Sequence, residues 1–368
     1  MNRTFLACAL MTLVMWSCKN EEPQPVTKEE ALDFAYKIES SLRDGRHEVF
    51  DSLFHETVFS QKVAEGAGAK SDKSFLKGVR QGLRNMQLGK EILGSMKDQG
   101  TYELVNHYVK DNNYHLVFRL YAADGINYHD MELIKMDGRI HAADMYIYMN
   151  GETFSKTLSS VMATMFDYVK EKDKSAVDQY AWYMKEVKTL MAQQKYTEAK
   201  ATLEKLPAEF QKEKLFRSLN LQISSQLGDE AYREALDEFE LNYAADAGAQ
   251  LALIDAYFLK KDYKKVLRAI DVVDSAVNHD PVLHYYRALA YSQMNDVANT
   301  VKCLETLQKE KPGFGDGMLE LIANYVEMED FDKATKLVAD YRANKKLDQE
   351  KLQNIRWLYP TQASRIGL

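Results

Sequence analysis

Polar and apolar residues follow one another along this chain in three successive rhythms. From Thr27 the apolar side chains Ala31, Phe34, Ala35 and Ile38 recur at three- and four-residue steps, the spacing of one helical face. Thr27, with Glu30 three residues on, reads as a capping box that starts this helix. Arg43-Asp44-Gly45-Arg46 breaks it, and HEVFDSLFH predicts a second, short helix. VAEGAGAKSDK predicts a loop, and SFLKGVRQGLRNMQLGKEIL a further amphipathic helix. After Gly100 the step changes to two. TYELVNHYVK, NYHLVFRLYAA, NYHDMELIKM and RIHAADMYIYM alternate and are rich in Tyr, Val, Ile or Phe, as half-buried strands are. Asp111-Asn112, Asp124-Gly125 and Asp137-Gly138 punctuate them at turn positions. Helices followed by a four-stranded antiparallel meander predict an α+β domain, a curved sheet with helices on one face.

Beyond residue 152 the helical rhythm returns and repeats. Tyr257, Tyr291 and Tyr325 stand 34 residues apart, and an aspartate follows each by five: Asp262, Asp296 and Asp330. Leu253, Tyr257, Val266 and Ile270 are inward-facing by spacing in the first unit. Ala288, Tyr291 and Leu304 hold the register in the second, which closes at Pro312. Tyr325, Phe331, Ala334 and Val338 hold it in the third. Two looser units lie upstream, one with Tyr196, Ala199 and Leu203 ending at Pro207, the other with Gly228-Asp229 at its turn and Ala235 at the helix crossing. A 34-residue period with a small residue at the crossing resembles the tetratricopeptide family over roughly residues 180 to 345, with Lys261 where its turn usually has glycine. The resemblance implies stacked helix–turn–helix units forming an all-α solenoid, closed by a terminal helix in LDQEKLQNIRWLYPTQASRIGL. It also implies a groove lined by successive first helices, with Asp255, His284, Arg287 and Glu320 as polar groups a peptide could touch.

The α+β element order, the helix pair around Asp44-Gly45 and the final DGRI…DMYIY hairpin resemble the NTF2-like (SnoaL-like) cone fold. A cystatin-like sheet or an unrelated α+β domain has the same order. At the start of the chain, Arg3 precedes the apolar run FLACALMTLVMW, too short for a membrane span. MWSC followed by KNEEPQP resembles the signal and tether of Bacteroidetes lipoproteins, with Trp16 bulkier than their tightest motif. That resemblance implies acylation (palmitate among the chains) at Cys18, outer-membrane attachment, and a periplasmic or surface-exposed location. The expected organisation is therefore leader 1–17, tether 18–26, NTF2-like domain 27–152, and solenoid with its capping helix 153–368.

Charge and cysteine usage narrow the functions. Removing Arg3 with the leader leaves 47 basic against 55 acidic residues, about −8, and no basic stripe appears. That disfavours nucleic acid. The acidic run Asp237–Glu240 reads as a solvated face or as a contact for a basic partner. Cys8 leaves with the leader and Cys18 would be acylated, so Cys303 remains alone, with no disulfide framework; it reads as an apolar thiol. Six of eight histidines lie in the α+β domain: His47, His55, His107, His115, His129 and His141. Strand alternation places Asn127, His129 and Met131 on one face and Ala142, Asp144, Tyr146 and Tyr148 on another. Were those faces to coincide, His129, Asp144 and Tyr146 would line a pocket fit for acid–base work; otherwise they are amphipathic strand residues with wet tips. Register decides between the two. No metal-ligand spacing, nucleophile elbow or phosphate-cradling loop is present, so no cofactor is expected. Trp182 and Trp357, the tryptophans outside the leader, read as helix-packing rather than as a sugar platform. The leading expectation is a lipid-anchored, non-catalytic scaffold for a protein or peptide. Small-ligand or enzymatic activity in the cone, and an accessory role in glycan uptake, are the alternatives.

Overall fold

The computed structural model describes residues 23–368, apart from 71, 97–99, 123–124 and 172–174. The leader and Cys18 lie outside the described residues. The front of the chain folds as α1 (Lys28–Arg43), α2 (Glu48–Asp51), α3 (Glu56–Gly66), α4 (Lys73–Asn85) and α5 (Leu88–Ser95). Thr27 and Glu30 form the expected capping box, each side chain bonded to the other's backbone N–H. Two stretches differ from expectation. Residues 56–66 are helical because His55 supplies an N-cap through Nδ1 and Phe59 and Val63 find a core. The long helix divides at Met86-Gln87, where the backbone turns extended after Asn85.

The sheet follows as β1 (Thr101–Lys110), β2 (Asn113–Ala122), β3 (Gly125–Met136), β4 (Arg139–Ile147) and β5 (Glu152–Thr153). All neighbours are antiparallel, in the order of the sequence. The meander thus has five strands where four were expected; the fifth is two residues long and pairs only with the end of β4. Asp111-Asn112 and Asp137-Gly138 both take positive φ, the conformation of two-residue hairpin turns that match strand twist.

The sheet is covered on both sides. Tyr102, Leu116, Phe118, Met131, Leu133 and Met145 point one way and form a core with Ile38, Phe50, Phe59 and Val79 of the front helices. Val117, Ile126, Tyr128 and Tyr148 point the other way and join a second core built from the repeat helices. Alternation at period two makes both faces available, and here both are used.

The remaining helices are α6 (Phe154–Glu171), α7 (Ser175–Ala192), α8 (Tyr196–Leu203), α9 (Ala208–Gln211), α10 (Lys214–Ser224), α11 (Asp229–Tyr243), α12 (Gln250–Leu259), α13 (Tyr263–Val277), α14 (Leu283–Gln293), α15 (Val297–Glu310), α16 (Gly315–Glu327), α17 (Phe331–Ala343) and α18 (Leu352–Leu358). α6 packs on α3 and β4. α12–α13, α14–α15 and α16–α17 are hairpins that stack in sequence. Their turns are built alike. Lys261, Asn295 and Glu329 take φ of 57°, 59° and 57°, and the following Asp262, Asp296 and Asp330 each accept a hydrogen bond from the backbone N–H three residues on. Leu253, Val266, Ile270, Ala288, Leu304, Ala334 and Val338 are buried as their spacing required.

Candidate functional site

The register of β3 and β4 settles the sheet pocket. His129 pairs with Ile147, while Asp130 pairs with Tyr146 and Glu132 with Asp144. His129 therefore faces the front helices, and Asp144 and Tyr146 face the opposite way. A bulge at Ala143 also puts Ala142 on the face away from Asp144, because one extra residue inverts every side chain beyond it. The three candidate residues do not share a pocket. His129 is enclosed in apolar core, between the Tyr102 hydroxyl (3.1 Å from Nδ1) and the Asn127 amide (3.3 Å from Nε2). Burial lowers its pKa to about 4, so the ring is neutral. Asp144 accepts hydrogen bonds from the backbone N–H groups of Met145 and Ser155 and from the Ser155 hydroxyl, fastening the start of α6 to β4. The Tyr146 hydroxyl lies against Gly248, where a Cβ would sit 2.1 Å from it, and burial, with Asp246 beside it, pushes it up to about 12.

A histidine–aspartate pair does form on the sheet, from other residues. His115 Nδ1 lies 2.9 Å from Asp130, the Tyr108 hydroxyl donates to the same carboxylate, and the Tyr108 and His115 rings stack at 4.7 Å. The two-residue turn at Asp111-Asn112 fixes Tyr108 opposite His115; that turn was the signal from which the pair could have been read.

Phe118, Met131, Tyr102 and Phe59 fill the space between the sheet and the front helices. A cleft of about 770 Å³ opens instead at the β3–β4 turn, between His55, Glu56, Arg84, Arg139 and His141. Residues 53–55 reach it as an extended segment beside β4, held by backbone bonds to Ala142. The His55 and His141 rings meet edge-on at 5.3 Å. Burial, then the neighbouring His55 and Arg139, lower the pKa of His141. Arg84 is held by a two-point bond to Glu56. Among the described residues, no three His, Cys, Asp or Glu side chains are placed to hold a metal ion.

On the repeats, Asp255 of α12 is exposed. It accepts a hydrogen bond from Tyr232 at 3.1 Å, and the surrounding protein raises its pKa. Glu320 is half-buried, and burial, with Asp316 and Glu327 nearby, raises its carboxyl likewise. Arg287 is not a free groove residue. Its guanidinium bonds to Asp271 and Asp274 of the preceding helix at 2.8 and 2.7 Å, so it ties α14 to α13. His284 is half-buried beside Glu310 at 3.9 Å. Cys303 is half-buried, and burial raises its thiol pKa. The tryptophans correct another expectation: Trp182 is 56% and Trp357 83% exposed, so neither is packed between helices of the described residues.

The sheet meets the repeats through polar ties that no short motif announces. Arg119, 2% exposed, bonds to Asp280 and Glu103, and Tyr128 donates to Asp280 at 2.7 Å. Tyr121 donates to Asp316 at 2.6 Å, and Lys311 bonds to Glu103 at 2.7 Å. Tyr121, Phe314 and Tyr285 form an aromatic chain beside them.

No family profile matches the chain, and no curated protein matches it. Among solved structures it is similar to MamA (residues 41 to the end) from Desulfovibrio magneticus RS-1, at 18% identity and TM-score 0.38, over 46% of this chain and 98% of that one. A MamA mutant is similar at 13% identity and TM-score 0.36, over 46% and 99%. Yeast Tom70 is similar at 10% identity and TM-score 0.37, over 93% of this chain and 62% of that one. Likenesses this distant assign no function, which rests on this chain's own residues.

Proposed function

We propose that this chain is a lipid-anchored protein of the cell envelope that holds a protein or peptide partner on its helical repeats and carries out no reaction of its own. The observation that carries the reading is the run of stacked hairpins at a 34-residue period, with one turn geometry repeated three times. Such arrays present extended surfaces on which another chain can lie. Asp255 and Glu320 offer carboxylates there for a donor-bearing segment. We read the front domain as NTF2-like from its helices-then-meander order. With its cone packed shut, we propose it as a support for the repeats rather than a ligand vessel. The MWSC motif supports attachment through Cys18, in a periplasmic or surface-exposed position.

The cleft at His55 and His141 favours one second reading, binding of a small polar ligand at the rim of the front domain. Cross-linking in intact envelopes separates the two. Asp255→Lys with Glu320→Lys should remove a specific cross-linked partner that the native chain retains; an unchanged partner set removes the repeats as the site and leaves the cleft. For the anchor, Cys18→Ser should move the protein to the soluble fraction, and full membrane retention with normal processing would refute it.

A further inference from the structure

The 34-residue series of tyrosines has a fourth member. Tyr359, the residue that closes α18, follows Tyr325 by the same interval. α18 packs against α16, as the first helix of each earlier unit packs on the unit before it. The difference is visible one residue earlier. Ala256 and Ala290, just before the first two tyrosines, are fully buried, whereas Leu358 in the same place is 68% exposed. Trp357 beside it is 83% exposed. α18 therefore presents an open apolar face at Trp357 and Leu358.

The charges at this end run against the rest of the chain. Residues 345–368 carry Lys345, Lys346, Lys351, Arg356 and Arg365 against Asp348 and Glu350, a balance of +3 in a chain of −7. Lys351 is paired with Asp316, and Arg365 lies over the Phe331 ring. Lys345, Lys346 and Arg356 are exposed and make no ion pair among the described residues. The complementary surface lies elsewhere on the same molecule. Leu241, on α11, is 86% exposed, the highest value among the large apolar side chains of the described residues. α11 carries six acidic residues and one arginine. Arg217, Lys260 and Lys265 neutralise Asp237, Glu238 and Glu240. Asp229, Glu230 and Glu234 remain exposed with no ion pair among the described residues.

We propose that the open face of α18 around Trp357 and Leu358 docks on the outer face of α11, around Leu241, of a second copy of this chain. Each surface joins an exposed apolar centre to an excess of unpaired charge, three acids against Arg233 on α11 and three bases against Glu350 near α18, and the signs of the two excesses are opposite. Apolar burial supplies the contact, and the charges choose the partner and its orientation. The two surfaces differ, so the contact is head-to-tail, and a pair keeps one free surface of each kind for chain or ring growth.

Sedimentation velocity of the purified full chain tests this. Association should appear at about 50 mM salt and weaken markedly at about 500 mM, where the Debye length has shrunk roughly threefold. Trp357→Ser with Leu358→Ser should weaken it at least about tenfold. Two reversal variants give the decisive experiment: Lys345→Glu, Lys346→Glu, Arg356→Glu in one, and Asp229→Lys, Glu230→Lys, Glu234→Lys in the other. Each alone should be monomeric, and a mixture of the two should associate, which also shows that both are folded. The proposal is overturned if the native chain stays monomeric at about 100 μM and low salt, where a contact with a Kd of about 100 μM, worth about 5–6 kcal/mol, would already populate the associated form. It is equally overturned if reversal on α11 leaves association unchanged, or if the mixture fails to associate.

Discussion

The repeat hairpins and the sheet are specified in opposite ways. Each hairpin carries its own instructions: a residue in the left-handed conformation, an aspartate that caps the next helix, and a small residue at the crossing. These lie within a few residues of one another. The sheet takes its position from residues far along the chain. Arg119 meets Asp280 across 161 positions, Tyr121 meets Asp316 across 195, and Lys311 meets Glu103 across 208. Local instruction makes each unit replaceable. Distant instruction makes the sheet and the repeats a single body, whose mutual orientation is set by a few buried polar groups inside an apolar contact.

That contrast can be broken experimentally, most strongly at the distant ties. Arg119→Ala leaves the fully enclosed Asp280 carboxylate without its partner and should cost about 3–5 kcal/mol in denaturant titration, while Arg119→Met with Asp280→Leu should recover much of that loss. Equal costs for the single and double variants would mean that the pair does not set the orientation. Next comes acid. His129 has a folded pKa of about 4 against an ordinary 6.5. The unfolded chain therefore binds the extra proton first, and the stability this group confers is complete above 6.5 and lost as pH falls toward 4. The loss amounts to about 3 kcal/mol, and His129→Gln should flatten that part of the curve when unfolding is followed from pH 7 to 4. Local changes should count for less. Asp296→Ala removes a cap that accepts from the Asn299 backbone N–H at 3.1 Å and its side-chain amide at 2.7 Å, and should cost about 1 kcal/mol. Smallest and of opposite sign, Glu329→Gly relieves a left-handed residue at φ 57° and should stabilise by up to about 1 kcal/mol. A local change that rivals Arg119→Ala would erase the distinction between the two regions.

Legibility in the sequence follows the same division. The tyrosine interval, the caps and the buried faces of the last three units could be read because each depends on neighbours. The four long strands could be read for the same reason, down to the turn at Asp111-Asn112. The expected His129–Asp144–Tyr146 pocket was misplaced because alternation fixes which residues share a face on one strand, while pairing between strands depends on register. A single bulge at Ala143 then shifted β4 within itself. Asp255 and Glu320 were legible as polar residues on first helices. Arg287 was not, because its fate depends on two aspartates of the preceding helix. No spacing rule reaches from Arg119 to Asp280.

The buried tie between Arg119 and Asp280 also has a meaning for biosynthesis. The sheet is complete by residue 153, yet the elements that cover its second face come much later in the chain. At roughly 5–20 residues per second, the 161 positions from Arg119 to Asp280 take about 8–30 s to synthesise. Throughout that interval Val117, Ile126 and Tyr128 form an apolar face beside an arginine that has Glu103 but not yet Asp280. A nascent chain in this state is a client for a holding factor, and truncation before α12 should yield an aggregating product rather than a smaller soluble domain.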